Sequence, residues 1–332
     1  MDQRDDICDV AGILVGHDTL LDAATGCTVI LCAGPAVGAV DVRGGAPATR
    51  EIALLAPERM MREVHAITLS GGSAFGLEAA SGVARALEAR GVGYDVGVTR
   101  VPIIPAASLF DLGIGAANIR PDAESGVRAL AAATAGPVAQ GCVGAGTGAT
   151  VGKSAGPTWC VKSGVGSASA RLDAAAGGFT IGALAAVNAL GDIYDPASGQ
   201  IVAGARHPSG RGWLGPSTGT PLGNAPKVLG GNTTLVVVAT DAPLNKADLS
   251  RIAQMAHDGF ALTIRPTHTP FDGDTVFALS TGSGAAEVGA ASPLTVTTLG
   301  ALAAQVVASS ILRAVRAATT LADIPALRDL AF

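Results

Sequence analysis

The order of apolar and polar residues divides most of the chain into short strands and amphipathic helices. Strands are predicted where apolar residues run between turn residues, at 11–16, 27–32, 37–45, the first part of 65–76, 143–153, 158–172, 178–195, 233–242 and 276–281. Helices are predicted where apolar residues recur every three or four positions, at about 49–66, 75–91, 124–136, 246–263 and 294–318. The elements do not alternate regularly, so the pattern favours an α+β or layered sandwich over a doubly wound sheet.

Three further stretches differ from these elements in composition or length. Residues 100–111 form a proline-punctuated apolar segment that is predicted to be buried. Residues 207–231 are rich in Gly, Pro, Ser and Asn with little periodicity, which predicts an exposed linker. The apolar stretch 299–312 contains a glutamine and two serines; it is too short for a membrane span and is predicted to be a buried helix.

Composition narrows the class of protein. The 332 residues are 48% apolar and 15% charged, enough for one large domain or two ordinary ones. The net charge is -5, and the chain contains no basic block that would bind nucleic acid. Five cysteines without a C-x-x-C pair are predicted to be structural thiols, and the polar N-terminus does not resemble a signal peptide. We therefore expect a cytoplasmic protein without a membrane partner, metal or other cofactor.

Several stretches resemble known functional motifs, but the spacing of their residues does not match those motifs. The stretch GAGTGATVGKS (144–154) lacks the first glycine of a phosphate-binding loop, because Thr147 stands there. Ser73 in GGSAFG does not complete a G-x-S-x-G nucleophile elbow. The five histidines include no pair spaced for zinc.

The stretch GGNTTLVVVATDAP (230–243) contains the best candidate nucleophile. Thr233 stands at the entrance of a buried strand, after two glycines that permit unusual backbone conformations. Its hydroxyl could attack the preceding carbonyl, so that the chain hydrolyses between Asn232 and Thr233. The new α-amine, with a reference pKa of about 7.7–8.0, could then act as general base. The alternative is an ordinary turn before a strand.

Four other side chains could complete such a site. Asp272 and Asp274 flank a glycine before a strand and could hold a hydroxyl and an ammonium or share a proton, although a solvated turn also fits. Asn188 lies in an apolar run and needs a buried partner, which could be an oxyanion. Lys162 could pair with the acids or extend towards solvent.

Seven blocks, in order along residues 10–320, resemble the P1 peptidase family. This family includes the L-aminopeptidase/D-esterases, the β-peptidyl aminopeptidases and the 6-aminohexanoate-oligomer (nylon oligomer) hydrolases. The blocks are VDVRGGAPATRE (40–51), LSGGSAFGLEAA (69–80), VPIIPAASLFDL (101–112), VKSGVGSAS (161–169), GALAAVNALGD (182–192), NTTLVVVATDA (232–242) and RPTHTPFDGDTVFAL (265–279).

The resemblance implies a single hydrolase domain, 1–332, folded as a four-layer αββα sandwich like that of the N-terminal-nucleophile hydrolases. It implies self-cleavage into an α chain, 1–232, and a β chain, 233–332, which stay together in a homotetramer. It also implies roles for the site residues: Thr233 as nucleophile, Lys162 beside it, Asn188 in the oxyanion hole, and Asp272 and Asp274 orienting and activating the nucleophile.

Within the family the motifs favour the nylon-oligomer hydrolases, which share the Asn-Thr cleavage site and the aspartate pair. Ser108 and Leu109 stand where the aminopeptidase branch places a carboxylate for the substrate's amino group. We therefore predict an amide hydrolase acting on small peptides or ω-amino-acid oligomers. An acyltransferase of the ornithine acetyltransferase type, or a non-catalytic small-molecule-binding protein of the same fold, are the alternatives.

Overall fold

The computed structural model describes residues 5–174, 177–215, 231–282 and 288–331. Its strands are β1 Ile13–Leu20, β2 Thr25–Val42, β3 Ala48–Arg50, β4 Glu63–Ser70, β5 Tyr94–Asp95, β6 Arg100–Val101, β7 Ala106–Ser108, β8 Thr150–Val151, β9 Val161–Lys162, β10 Val165–Arg171, β11 Thr180–Asn188, β12 Asp192–Tyr194, β13 Ile201–Ala203, β14 Thr233–Thr240, β15 Ile264–Arg265 and β16 Thr275–Ser280. Its helices are α1 Ala79–Ala89, α2 Ala123–Ala131, α3 Lys246–Ala256, α4 Asp258–Thr263 and α5 Pro293–Ala317.

The long strand β2 joins the two halves of the main sheet. The strand order is β10-β11-β14-β16-β2-β4-β7-β3, with β1 also paired to β2. The first half of β2 pairs with β1 and β4, and its second half pairs with β16, with a register shift between Leu31 and Ala36. Because an irregularity of this kind bends a strand, β2 passes from one sheet layer to the other.

Three hydrophobic cores lie one above another, and each core separates two layers of secondary structure, so the fold has four layers. In β14, Leu235 and Val237 point into a core shared with β1, β2 and β4, whereas Val236 and Val238 point into a core shared with α3, α4 and α5. A third core lies between β2 and the helices α1 and α2. The order is therefore helices, sheet, sheet, helices, and the predicted αββα sandwich is confirmed.

The helices begin at local signals that the sequence contains. Asn245 accepts a hydrogen bond from Asp248 N at the start of α3, and Ser292 accepts one from Thr295 N at the start of α5, where Pro293 follows the cap. Helix α5 has 25 residues, Pro293–Ala317, which confirms the helix predicted at 294–318. It is long and apolar enough to cross a membrane by length and composition, so the inference that its apolar stretch is too short for a span is wrong. It packs against β10 and β11, with Val307, Ile311 and Ala314 buried in the core, as predicted for a core helix.

Other sequence predictions are corrected. The helix predicted at 49–66 is instead β3, a 3-10 turn at Ile52–Leu55 and the start of β4. Residues 27–32 and 37–45 belong mainly to one strand rather than two, and 143–153 is mostly turns. The helix predicted at 246–263 is divided into α3 and α4. The predicted linker, 207–231, lies mostly outside the described residues, as does Gly230.

All five cysteines are buried free thiols, as predicted. Burial raises the pKa of the Cys32 thiol to about 12, which makes this thiol unreactive at neutral pH.

Candidate active site

Thr233 is the first residue of β14 and lies beside the last residue of β11. The antiparallel register pairs Asn188 with Thr233, and both residues are almost fully buried. The Thr233 hydroxyl donates a hydrogen bond to the carbonyl oxygen of Asn232, the residue just before it. The hydroxyl therefore contacts the carbonyl group that self-cleavage would require it to attack.

A second donor converges on the same carbonyl oxygen. The backbone N–H of Gly273 donates to Asn232 O across 3.0 Å. A Cβ on Gly273 would come within 2.6 Å of Thr233 Oγ1, so only glycine brings this backbone so close to the hydroxyl. Sequence reasoning singled out the two aspartates on either side but missed Gly273, whose signal was its position between them.

The two aspartates hold the turn that carries Gly273. Asp274 Oδ1 accepts from Thr234 N across 2.8 Å, while its Oδ2 accepts from the backbone N of His268 and lies 2.9 Å from His268 Nδ1. Asp272 Oδ2 accepts from the backbone N and the hydroxyl of Thr269. Burial, followed by the charge of Asp274, raises the pKa of Asp272. The structure therefore places both acids in the turn beside Thr233, where these hydrogen bonds go to Thr234, Thr269 and His268 and not to the Thr233 hydroxyl. Their role in orienting and activating the nucleophile stays a prediction.

The block at residues 40–51 supports this turn from outside. The backbone N–H groups of Arg43 and Gly44 donate to Asp274 O, and that of Ala46 donates to Asp272 O. A Cβ on Gly44 would lie 2.3 Å from Asp272 O, so the glycines of this block permit two backbone segments to pack closely.

Asn188 contacts the segment before the cleavage site rather than the Asn232 oxygen. Its Nδ2 donates to Phe110 O across 2.8 Å and to Gly231 O across 3.2 Å, and its Oδ1 accepts from Thr150 N. Among the hydrogen bonds of the described residues, those to Asn232 O come from Thr233 Oγ1 and Gly273 N. An oxyanion role for Asn188 stays a prediction.

Of the two nearby lysines, Lys153 is the one that contacts this segment. Its Nζ donates to Asn188 Oδ1 across 2.7 Å and to Gly231 O across 2.9 Å. Burial lowers the pKa of Lys153 to about 7. Sequence reasoning missed Lys153, because it stands in the GAGTGATVGKS stretch that fails as a phosphate-binding loop.

Lys162 has a different environment. It is fully buried, so the idea that it extends towards solvent is wrong, and its Nζ donates to the carbonyl oxygens of Ala149 and Ser163. Burial lowers the pKa of Lys162 to about 8. The described contacts of Lys162 do not include Thr233, Asp272 or Asp274, and its catalytic role stays a prediction.

A cavity of about 200 Å³ opens beside the cleavage site. Its walls include Phe110, Ile114, Lys153, Gly231 and Asn232. A larger cavity of about 660 Å³ is lined by residues such as Glu58, Tyr94 and Lys246, none of them a predicted site residue, so the smaller cavity is the candidate substrate site. Among the described residues, no group of three His, Cys, Asp or Glu side chains could hold a metal ion.

Comparison with known proteins shows the family of this chain. An uncharacterized aminopeptidase of Mycobacterium tuberculosis is 47% identical, with 98% of this chain and 97% of the relative covered. A 6-aminohexanoate-oligomer endohydrolase of a Kocuria species is 32% identical over 93% of this chain and 85% of its own.

The fold has a match among solved structures. An L-aminopeptidase D-Ala-esterase/amidase from Ochrobactrum anthropi, described as a variant of the N-terminal-nucleophile hydrolase fold, superposes with a TM-score of 0.76 and 22% identity. That match covers 96% of this chain and 87% of the other. The model of peptidase family S58 matches residues 5–326. This chain belongs to peptidase family S58 and is an enzyme that hydrolyses amide bonds.

Proposed function

We propose that this chain cuts itself between Asn232 and Thr233, and that Thr233 is then the nucleophile of an amide hydrolase. The observation that carries the proposal is that Thr233 Oγ1 and Gly273 N both donate to the oxygen of one carbonyl group, that of Asn232. Such an arrangement polarises the carbonyl group and keeps the attacking hydroxyl next to it.

Self-cleavage starts with addition of Thr233 Oγ to the carbonyl carbon of Asn232. Negative charge develops on the carbonyl oxygen, where Gly273 N–H stabilises it. The C–N bond then breaks, the threonine nitrogen takes the proton that the hydroxyl gives up, and an ester joins Asn232 to Oγ. Water hydrolyses this ester, which leaves a carboxylate on Asn232 and restores the hydroxyl beside a free amine.

The free amine supplies the base for turnover. In its neutral form it accepts the hydroxyl proton while Oγ attacks the substrate carbonyl, and it passes a proton to the leaving amine. The acyl group stays on Oγ as an ester until water releases it as a carboxylate. The Gly273 N–H, freed from Asn232 O when that segment moves away, is available to the substrate oxyanion.

We propose that the substrates are small peptides or ω-amino-acid oligomers of the 6-aminohexanoate type. The activity named for the Kocuria relative supports the second class, and the size of the cavity beside Asn232 suits a small acyl group. The family assignment favours hydrolysis over acetyl transfer or a non-catalytic role.

Intact mass spectrometry with two threonine variants tests the proposal. We expect wild-type protein to give two masses that break between residues 232 and 233, and Thr233→Ala to give one uncut, inactive chain. Thr234→Ala is the matched control: Thr234 is the next residue of the strand, equally buried, and should still permit cleavage. A wild-type chain that stays whole while it hydrolyses amides would contradict the proposal.

A substrate panel follows on the cleaved enzyme. Amides of L-amino acids, β-peptides, D-amino-acid esters and 6-aminohexanoate oligomers separate the substrate classes. Acetyl transfer from acetylornithine to glutamate that exceeds hydrolysis would instead support the acyltransferase.

A further inference from the structure

In the uncut chain, the residues before the cleavage site occupy the wall of the candidate substrate cavity. Gly231 and Asn232 line this cavity, and Asn232 provides the carbonyl group that faces Thr233. When a self-cleaving enzyme uses the same nucleophile for turnover, the carbonyl of its substrate must reach the same place. The Gly231–Asn232 segment therefore marks the path of the acyl part of a substrate.

Two side chains bind the carbonyl oxygen of Gly231. Lys153 Nζ donates to it across 2.9 Å, and Asn188 Nδ2 donates across 3.2 Å. The contact of Lys153 with Asn188 Oδ1 holds these two donors together. Cleavage after Asn232 frees the segment, and each side chain then loses one acceptor, while Lys153 keeps Asn188 Oδ1 and Asn188 Nδ2 keeps Phe110 O. A substrate carbonyl oxygen in the same place restores the lost hydrogen bonds.

We propose that Lys153 and Asn188 form an acyl-side subsite that selects substrates with a carbonyl oxygen in place of that of Gly231. The carbon of that carbonyl stands three bonds from the carbon under attack, through Asn232 N and Cα. An N-acylated α-amino acid, as found at an internal peptide bond, has this arrangement. The inference rests on the proposed function and adds that the enzyme favours acylated over free amino-terminal substrates.

The hydrogen-bond donors around the subsite argue against a free ammonium group there. Such a group would approach Lys153 Nζ and Asn188 Nδ2, which both donate to Gly231 O in the uncut chain, so donor would face donor. Asn188 Oδ1 already accepts from Lys153 and from Thr150 N, so it has little capacity for another donor. A substrate with a free amino terminus would also leave the hydrogen bonds that Lys153 and Asn188 make to Gly231 O without a replacement.

The rival binding place for an ammonium group is Asp111, which lines the same cavity. Its Oδ2 accepts from Thr25 Oγ1 and its Oδ1 accepts from Gly72 N, each across 2.7 Å. Each carboxylate oxygen therefore already accepts one hydrogen bond within the fold and has one lone pair left. If substrate ammonium groups nevertheless bind at Asp111, the preference between free and acylated substrates will be reversed.

The test compares L-alanine p-nitroanilide with N-acetyl-L-alanine p-nitroanilide on the wild-type enzyme, after mass spectrometry has established cleavage. We expect kcat/KM to be at least about tenfold higher for the acetylated substrate, which is the factor that one net hydrogen bond to the acyl oxygen supplies. A preference for the free amine overturns the inference and leaves the proposed function standing. If the enzyme hydrolyses neither compound, the inference is overturned. If the chain does not cleave itself, the proposed function is overturned.

Variants of Lys153 test whether this residue is responsible for the preference. Lys153→Met should lower kcat/KM about tenfold more for the acetylated substrate than for the free substrate, whereas Lys153→Arg should keep most of the preference. Lys246→Met is the matched control, because Lys246 also donates to backbone carbonyls but lies outside this cavity. Inhibition of the wild-type enzyme by N-acetyl-L-alanine and by L-alanine gives a second measurement that needs no variant. Stronger inhibition by L-alanine would contradict the inference.

Discussion

The backbone N–H of Gly273 donates a hydrogen bond to the carbonyl oxygen of Asn232 across 3.0 Å. The two residues are 41 positions apart, and the contact depends on the parallel pairing of β14 with β16, which sets Asn232 beside the aspartate turn. A backbone donor has no rotamer to adjust, so its direction is fixed by the sheet. The pairing of these strands therefore positions the backbone donor that stabilises the oxyanion in the proposed site.

Gly273→Ala should slow self-cleavage and turnover. The added Cβ would meet Thr233 Oγ1 at 2.6 Å and displace either the hydroxyl or the turn. A displacement of about 1 Å costs on the order of a hundredfold in rate, which a time course of cleavage by mass spectrometry can measure. Gly34→Ala is the control, since a Cβ there meets no atom within 4 Å. Equal cleavage rates for both variants would show that the contact does not matter.

Asp274→Asn should destabilise the turn and reduce cleavage. If the amide oxygen of the replacement accepts from Thr234 N, its NH₂ group takes the place of Asp274 Oδ2. The NH₂ group then faces the backbone N–H of His268, and two donors oppose each other. An unsatisfied buried donor costs about 1–3 kcal/mol, which thermal unfolding in the Thr233→Ala background measures without interference from cleavage. Asp22→Asn, at an exposed position, should leave the unfolding temperature unchanged.

The protein should lose stability as pH falls from about 6.5 to 4, in part through His257. Burial lowers the pKa of His257 from 6.5 to about 4, so the unfolded chain binds a proton in this range that the folded chain does not. At pH 5 the loss from this residue is about 2 kcal/mol.

His257→Gln keeps a donor for Asp41 O but cannot titrate. Its unfolding temperature should therefore fall less steeply between pH 7 and 5 than that of the wild type. His207→Gln, at an exposed site, should follow the wild-type curve. Parallel curves for all three proteins would disprove the assignment.

Lys153→Met should stabilise the uncut protein at neutral pH while it impairs function. Burial lowers the pKa of Lys153 from 10.5 to about 7. Between these pH values the lysine is protonated in the unfolded chain but not in the folded chain. The wild type therefore loses stability as the pH falls from 10.5 to 7. The variant removes this cost, and Gly231 O keeps its bond from Asn188.

The measurement compares unfolding temperatures at pH 7 and pH 10 in the Thr233→Ala background. We expect the advantage of Lys153→Met to be several degrees at pH 7 and to shrink at pH 10. An advantage that is the same at both values would mean that packing, and not the charge, is responsible.

Strong local patterns predicted the central elements well. The run TTLVVVAT is β14, the strand predicted at 276–281 is β16, and the long apolar pattern near the C-terminus is α5. These segments are fully or largely buried, so their apolar periodicity reflects the packing that stabilises them.

The failures lie where tertiary contacts outweigh local pattern. Residues 49–66 have helical spacing, but Pro57 interrupts a helix, and β3 and β4 pair with β7 instead. In β2, Gly34 and Pro35 suggested a turn, yet they lie in an exposed irregularity that bends one strand. The partners that decide these cases are distant in sequence.

The sequence by itself determined the candidate nucleophile, the aspartate pair, the family and the layered fold, because these depend on residue types in a local order. Only the tertiary structure decided which groups meet at the cleavage site. Gly273 contacts Asn232 through sheet pairing, and Lys153 reaches Gly231 from a loop 78 residues earlier in the chain. Such contacts have no signature in a local pattern, because they arise from the close approach of backbone segments that the cores and sheet register bring together.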